Sequence, residues 1–157
     1  MVEVGDDAPR FTAPLANGDV DEVTLAGELN DGPVVLAFFP GAFTSVCSHE
    51  MSTFQDRIAE IEDTGATLFG VSIDTPFAQN AFRDELDLSF DLISDNDRDL
   101  ISAYDVGMDF AELGVHDVAK RAVFVVDSDG IVSYAWVSDD PGVEPDYDAV
   151  VDAVQSA

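Results

Sequence analysis

The chain has 157 residues, 46% of them hydrophobic, which is enough for one domain with its own core and too apolar for a disordered acidic tail. Its 33 acidic residues against 6 basic ones give a formal net charge of -27, which excludes binding that depends on a basic face, whether to nucleic acid or to an anionic membrane. No apolar run approaches the ~20 residues of a membrane-spanning helix, and Met1 to Asp7 has neither the basic start nor the apolar stretch of a signal peptide, so a soluble, cytoplasmic protein is expected.

In chain order, two short apolar segments, Phe11–Leu15 and Val20–Leu25, flank Ala16-Asn17-Gly18-Asp19 and predict a hairpin. After the break at Asp31-Gly32-Pro33, residues 34–39 are apolar on both faces, as in a central buried strand. From Ser45 to Asp63, Cys47, Met51, Phe54, Ile58 and Ile61 recur at steps of four and three and predict one face of a helix. Thr67–Ile73 reads as a second central strand. Asp74-Thr75-Pro76 then starts a helix with Phe77, Ala81, Phe82 and Leu86 as its apolar stripe. Leu88–Ile93 is a short extended piece, and residues 97–104 a short helix. Arg121–Val126 and Ile131–Val137 pair across Asp127-Ser128-Asp129-Gly130, and a last helix runs from about Tyr147 to Val154. Two βα units, a hairpin and a helix predict an α/β protein: a mixed central β-sheet flanked by helices in a thioredoxin-like layout, with an N-terminal β-hairpin, as a single domain over residues 1–157.

Cys47 is the only cysteine, so no internal disulfide is possible. As a small buried hydrophobe it would need no further explanation. Its position argues for chemistry. It falls in the first turn of the predicted helix, where free N–H groups and the helix dipole favour a thiolate. Thr44 lies three residues upstream, within reach of the sulfur or of a bound oxygen. The backbone N–H groups of Val46 and Cys47 can point at an attacked atom.

Pro40-x-x-x-Thr44-x-x-Cys47 resembles the active-site signature of the peroxiredoxins. Arg121, opening a late strand, and Glu50, in a Cys-x-x-Glu position, match the family pattern, and the order of elements matches over roughly the whole chain. The resemblance implies a thiol-dependent peroxidase acting on hydrogen peroxide and organic hydroperoxides, with no cofactor. Cys47 would be the peroxidatic nucleophile that becomes a sulfenic acid. Arg121 would stabilise the thiolate and bind the peroxide, Thr44 would align the O–O bond, Pro40 would shield the sulfur, and Glu50 would orient Arg121. One subgroup carries a second cysteine five residues on, where this chain has Ser52. The cycle is then of the one-cysteine type, and an external thiol or redoxin must reduce the sulfenic acid. The segment is similar to the alkyl hydroperoxide reductase E-type and bacterioferritin-comigratory-protein-type groups. The family also implies a homodimer packed near the active-site loops.

Three other readings use the same residues. A cysteine hydrolase would pair Cys47 with His49 or His116, yet His49 points off another helical face and His116 falls in an expected surface loop. A redox sensor or holdase would use Cys47 oxidation to change a partner. A metal site is disfavoured, because one Cys and two His have no ligand spacing, and Leu100 stands where a calcium loop beginning at Asp95 needs glycine.

The acids are spread over nearly every loop, and Lys120 is the only lysine. A folded chain with this self-repulsion is expected in a cytoplasm of very high salt, where screening shortens to a few Å, as in halophiles. Its thermal midpoint should therefore rise as KCl is raised from about 0.1 M to above about 1 M, where the Debye length falls from ~10 to ~3 Å. A midpoint indifferent to salt would contradict this.

Overall fold

The computed structural model describes residues 2–157. Among them, seven strands form one mixed sheet in the order β2 (Val20–Thr24), β1 (Thr12–Ala16), β5 (Asp91–Ser94), β4 (Thr67–Ser72), β3 (Val34–Phe38), β8 (Arg121–Val126), β9 (Val132–Ser138), and β6 (Gly107–Phe110) and β7 (Val115–Ala119) form a separate ribbon.

The hairpin forms as expected. β1 (Thr12–Ala16) and β2 (Val20–Thr24) pair antiparallel with Ala16 opposite Val20, and Gly18 takes the left-handed φ of 97° that closes the loop. The hairpin does not stand alone. Leu15 and Ala16 pair with Ile93 and Leu92 of β5 (Asp91–Ser94), so it extends the main sheet.

β3 (Val34–Phe38) is buried along its whole length. Its alternation divides the core in two. Val34, Leu36 and Phe38 face Phe124, Tyr104 and Leu25, whereas Val35, Ala37 and Phe39 face Cys47, Met51, Phe54 and Phe82. β4 (Thr67–Ser72) runs parallel to β3 and to β5, and β8 (Arg121–Val126) runs antiparallel to β3 and to β9 (Val132–Ser138). The C-terminal ends of β3 and β4 and the start of β8 thus meet at one end of the sheet.

The helix expected over Ser45–Asp63 is broken. α2 spans Ser45–Asp56 and α3 spans Ile58–Glu62, with Arg57 between them at φ -103°, ψ 6° (α1, the short helix Leu25–Leu29, precedes them). The Arg57 N–H is shared between the carbonyls of Thr53 and Phe54, and its guanidinium binds Glu60 and, at 2.9 Å, Asp148. The apolar period survives the break, since Phe54 and Ile61 are both fully buried, so periodicity alone did not reveal it.

α4 (Pro76–Leu86) starts where expected, with the Thr75 hydroxyl accepting from the Ala78 N–H. Its stripe differs from the expectation: Phe77 is 75% exposed, Ala81 is exposed, and Gln79 and Phe82 face inward. Phe77 lies about 140° around the helix from Phe82, given 3.6 residues per turn. Gln79 takes an inward position because its amide donates to Ser72 Oγ and to the Ile93 carbonyl.

α5 (Asp99–Ala103) is shorter than expected, and Asp95 is not the solvated turn residue its surroundings suggested. It is buried, and its carboxylate accepts the N–H groups of Leu100 and Ile101. β6 (Gly107–Phe110), a 3-10 turn (Ala111–Leu113) and β7 (Val115–Ala119) occupy a stretch for which the sequence predicts only a surface loop around His116. β6 alternates over only four residues and the first three residues of β7 are exposed on both faces, so the ribbon offers too short an apolar pattern to read. α6 (Tyr147–Ser156) closes the fold, capped by Asp146 and burying Val150, Val151 and Val154. Among the described residues, no helix is long and apolar enough to cross a membrane.

One glycine sets how close α2 lies to the sheet. A Cβ on Gly70, in β4, would sit 2.6 Å from Leu92 Cδ2 and 3.1 Å from both Met51 Sδ and Phe39 Cε1. The missing side chain lets Met51 press against the strand, and α2 carries Cys47 one turn earlier. Gly70→Ala should overpack this contact and cost about 1–3 kcal/mol in urea unfolding. An unchanged midpoint would show that α2 has room to move.

Candidate active site

Cys47 occupies the third position of α2, at the end of the loop that follows β3. Thr44 stands at the N-cap position but accepts no capping hydrogen bond from the first turn, so those N–H groups keep no intrahelical acceptor. Cys47 is 1% exposed, with its sulfur turned toward β8.

Arg121, the first residue of β8, reaches the sulfur. Its Nη2 donates to Cys47 Sγ at 3.3 Å and its Nη1 to Glu50 Oε1 at 3.0 Å. Nε and Nη2 both donate to the Pro141 carbonyl, at 3.1 and 2.9 Å. β8 is an inner strand and Arg121 is 1% exposed, so this is no edge arginine pairing with whichever acid lies nearby. Glu50 follows Cys47 by three positions, close to one helical turn, and so presents its carboxylate beside the thiol on the same face. It is fully buried, and its second oxygen has no hydrogen-bond partner among the described residues.

Burial drives the electrostatics. Desolvation pushes the Glu50 carboxyl up to about 8, against the pull of the Arg121 guanidinium, and Glu144 adds a further upward push. Arg121 is held above its ordinary value: desolvation acts to lower it, and its interactions with Glu50 and Cys47, hydrogen bonds included, outweigh that. The guanidinium is thus a fixed cation beside the sulfur.

A cleft of about 470 Å³ opens over this group. Pro40, Thr44, Val46, Cys47 and Arg121 all line it, so the structure brings together five of the six residues singled out from sequence, with the sixth, Glu50, behind Arg121. The Thr44 hydroxyl donates to the Gly41 carbonyl at 3.1 Å, closing its own loop rather than bonding the sulfur. Ile73, Phe110, Leu113, Val115 and Val118 make the far wall apolar. Among the described residues no histidine lines the cleft. His49 binds Glu144 at 2.6 Å, and His116 lies 3.6 Å from Asp109. The pairing a cysteine hydrolase needs is absent from this geometry.

Sequence reasoning missed two participants. Pro141 acts through a backbone carbonyl, which leaves no side-chain signature. Asp74 was visible only as a helix-start residue, yet it lines the cleft and accepts the Ala42 N–H at 2.8 Å.

A family profile described as the AhpC/TSA family matches residues 4–135. The chain belongs to the AhpC/TSA family. The thiol peroxidase of Listeria innocua is 32% identical over 156 residues, covering 99% of this chain and 89% of that protein. The peroxiredoxin bcp of Coxiella burnetii is 31% identical over 136 residues, covering 86% and 88%. The crystal structure of peroxidoxin BcpB from Mycobacterium tuberculosis superposes with a TM-score of 0.85 at 28% identity, over 99% of this chain and 98% of that one. The AhpC/TSA chain described here therefore has the thioredoxin-like fold expected from its sequence, and its relatives carry the names of the family that its motif resembles.

The raised Glu50 carboxyl has a stability consequence. A proton held more tightly in the folded state stabilises most below the unfolded value near 4.5, and that contribution is lost as pH rises toward about 8. Wild type should therefore lose stability relative to Glu50→Gln between those pH values, on the order of a few kcal/mol. Urea midpoints for the two proteins that track each other across the window would refute it.

Proposed function

We propose that this AhpC/TSA chain is a thiol-dependent peroxidase, one catalytic domain over residues 1–157, with Cys47 as its nucleophile. The observation that carries the reading is the contact of Arg121 with both the Cys47 sulfur and Glu50, at the floor of an open cleft.

The reaction follows from the groups present. A Cys47 thiolate attacks the distal oxygen of ROOH with its electron pair, the O–O bond breaks, and RO⁻ leaves and takes a proton from solvent. Sulfur is oxidised to the sulfenic acid and the peroxide is reduced to ROH. Arg121 offers N–H groups to the thiolate and to the charge developing on the peroxide oxygens. Glu50 and the Pro141 carbonyl hold that guanidinium in place, and Pro40 and Thr44 bound the space in which the peroxide lies in line with the sulfur. The N–H groups of Val46 and Cys47, in the first turn of α2, can donate to a peroxide oxygen in the cleft.

The cycle is of the one-cysteine type. An external thiol R′SH attacks Cys47-SOH, giving a mixed disulfide and water, and a second R′SH releases R′SSR′ and the Cys47 thiol. A small thiol or a redoxin fits this role, and a reducing cytoplasm fits a chain with one free cysteine. A homodimer packed near the active-site loops is part of the same reading, supported by Phe43 and Leu113, which are 56% and 74% exposed beside the cleft.

One equivalent of peroxide should add a single oxygen to Cys47, trapped by dimedone and read by mass spectrometry. Cys47→Ser should abolish turnover, and Arg121→Ala should slow the peroxide step by roughly 100-fold, as when an oxyanion donor is removed. Full activity in Cys47→Ser would end the reading. Stoichiometric oxidation with no turnover by any thiol would favour a redox sensor.

A further inference from the structure

Asp74 follows β4 on the wall of the cleft, and the reaction described above gives it no part. Its Oδ2 accepts the Ala42 N–H at 2.8 Å and the Ser72 hydroxyl at 2.7 Å. Behind Ser72 lies Gln79, fully buried, whose Nε2 donates to Ser72 Oγ at 3.0 Å and to the Ile93 carbonyl at 2.8 Å. The amide fills an acceptor site on Ser72 Oγ, so the hydroxyl proton is left for Asp74. On the other side, the Ser94 hydroxyl donates to the Asp74 carbonyl at 2.7 Å. β4, β5 and α4 thus converge on one residue: β4 and α4 act through Ser72 on its carboxylate, and β5 holds its main-chain carbonyl.

The Asp74 carboxylate holds a loop under strain. Phe43 sits at φ 68°, in the left-handed region that a residue with a Cβ rarely adopts. The loop over residues 40–44 is held in this shape by the Ala42–Asp74 bond, by the Thr44–Gly41 bond and by the Phe43 ring, 5.2 Å from that of Phe82. Of these, the Ala42–Asp74 bond ties the loop to buried groups of the sheet. Pro40 and Thr44 ride on the same loop, and both line the cleft above Cys47.

We propose that Asp74 is a positioning residue for peroxide reduction: through the Ala42 N–H it fixes loop 40–44 so that Pro40 and Thr44 bound the cleft in the geometry that aligns the O–O bond with the sulfur. It acts through the loop and not on the reacting atoms. The inference rests on the reading of Cys47 as the peroxidatic nucleophile.

The test compares two reactions of the same sulfur. Stopped-flow gives the rate with hydrogen peroxide, which needs an aligned O–O bond. Alkylation by iodoacetamide needs only a reactive, reachable thiolate. In Asp74→Ala the peroxide rate should fall about tenfold or more, while alkylation slows by less than about twofold, because misplacement costs alignment and not nucleophilicity. Asp74→Asn, whose amide oxygen can accept both hydrogen bonds, should recover most of the peroxide rate. Ser72→Ala, which removes one of the two bonds, should lose about threefold, in keeping with the modest net worth of one hydrogen bond.

A peroxide rate in Asp74→Ala within about twofold of wild type, or a parallel loss of both reactions, overturns the proposal, since positioning predicts a loss confined to peroxide. An Asn variant as slow as the Ala variant overturns it in favour of a charge effect. If Asp74→Ala does not fold, the milder variants decide: Ser72→Ala at the wild-type peroxide rate refutes the anchor. A wild-type protein that alkylates normally and ignores peroxide instead refutes the peroxidase reading itself.

Discussion

Everything at this site depends on keeping one guanidinium out of water. A buried cation is costly unless its donors find partners, and Arg121 finds three: a carboxylate, a thiol and a backbone carbonyl. The partners come from two distant parts of the chain, and Arg121 from a third. Glu50 and Cys47 share a face of α2, Arg121 opens β8, and Pro141 lies beyond β9. The contact therefore forms only once the sheet is assembled and both edges of the cleft are in place. Removing a partner leaves a buried N–H of the guanidinium without its acceptor, so the same contact that faces the sulfur also ties the fold together around it.

The sheet supplies the precision. β3 and β8 are antiparallel neighbours with Phe38 opposite Ala122, which brings the start of β8 beside the loop leaving β3. Phe39, Met51 and Phe54, each worth about 1.5–3 kcal/mol of burial, fix α2 against the opposite face. The sulfur is thereby held between a strand end and a helix start, each backed by fully buried side chains. The strain at Phe43 is confined to the short loop between them.

Much of this was legible in the sequence, and the reasons differ by element. Residues 34–39 read as a buried strand because they are apolar on both faces, and 121–126 as one of two strands paired across a tight turn; both are strands of the sheet. Pro40, Thr44, Cys47 and Arg121 were singled out because their order resembles the family signature, and the structure gathers them at one cleft. The ribbon β6–β7 was not legible, because it buries little and its alternation lasts only four residues. The break at Arg57 left the apolar spacing intact. Phe77 was placed inward by hydrophobicity, whereas the inward position went to Gln79, whose amide bonds two strands that the sequence could not bring together. Pro141 contributes a carbonyl that every residue possesses.

The uncapped start of α2 bears on the second half of the cycle. Peroxide is small enough to enter the cleft, but a reducing thiol carries a larger body and must reach a sulfur that is 1% exposed. The turn that holds this sulfur lacks the side-chain cap that secures α4 and α6, a contribution of about 1 kcal/mol where it is present. Fraying of that turn is correspondingly less costly. The protein can thus be rigid toward its oxidant and yielding toward its reductant, with the balance set by a hydrogen bond that Thr44 does not make.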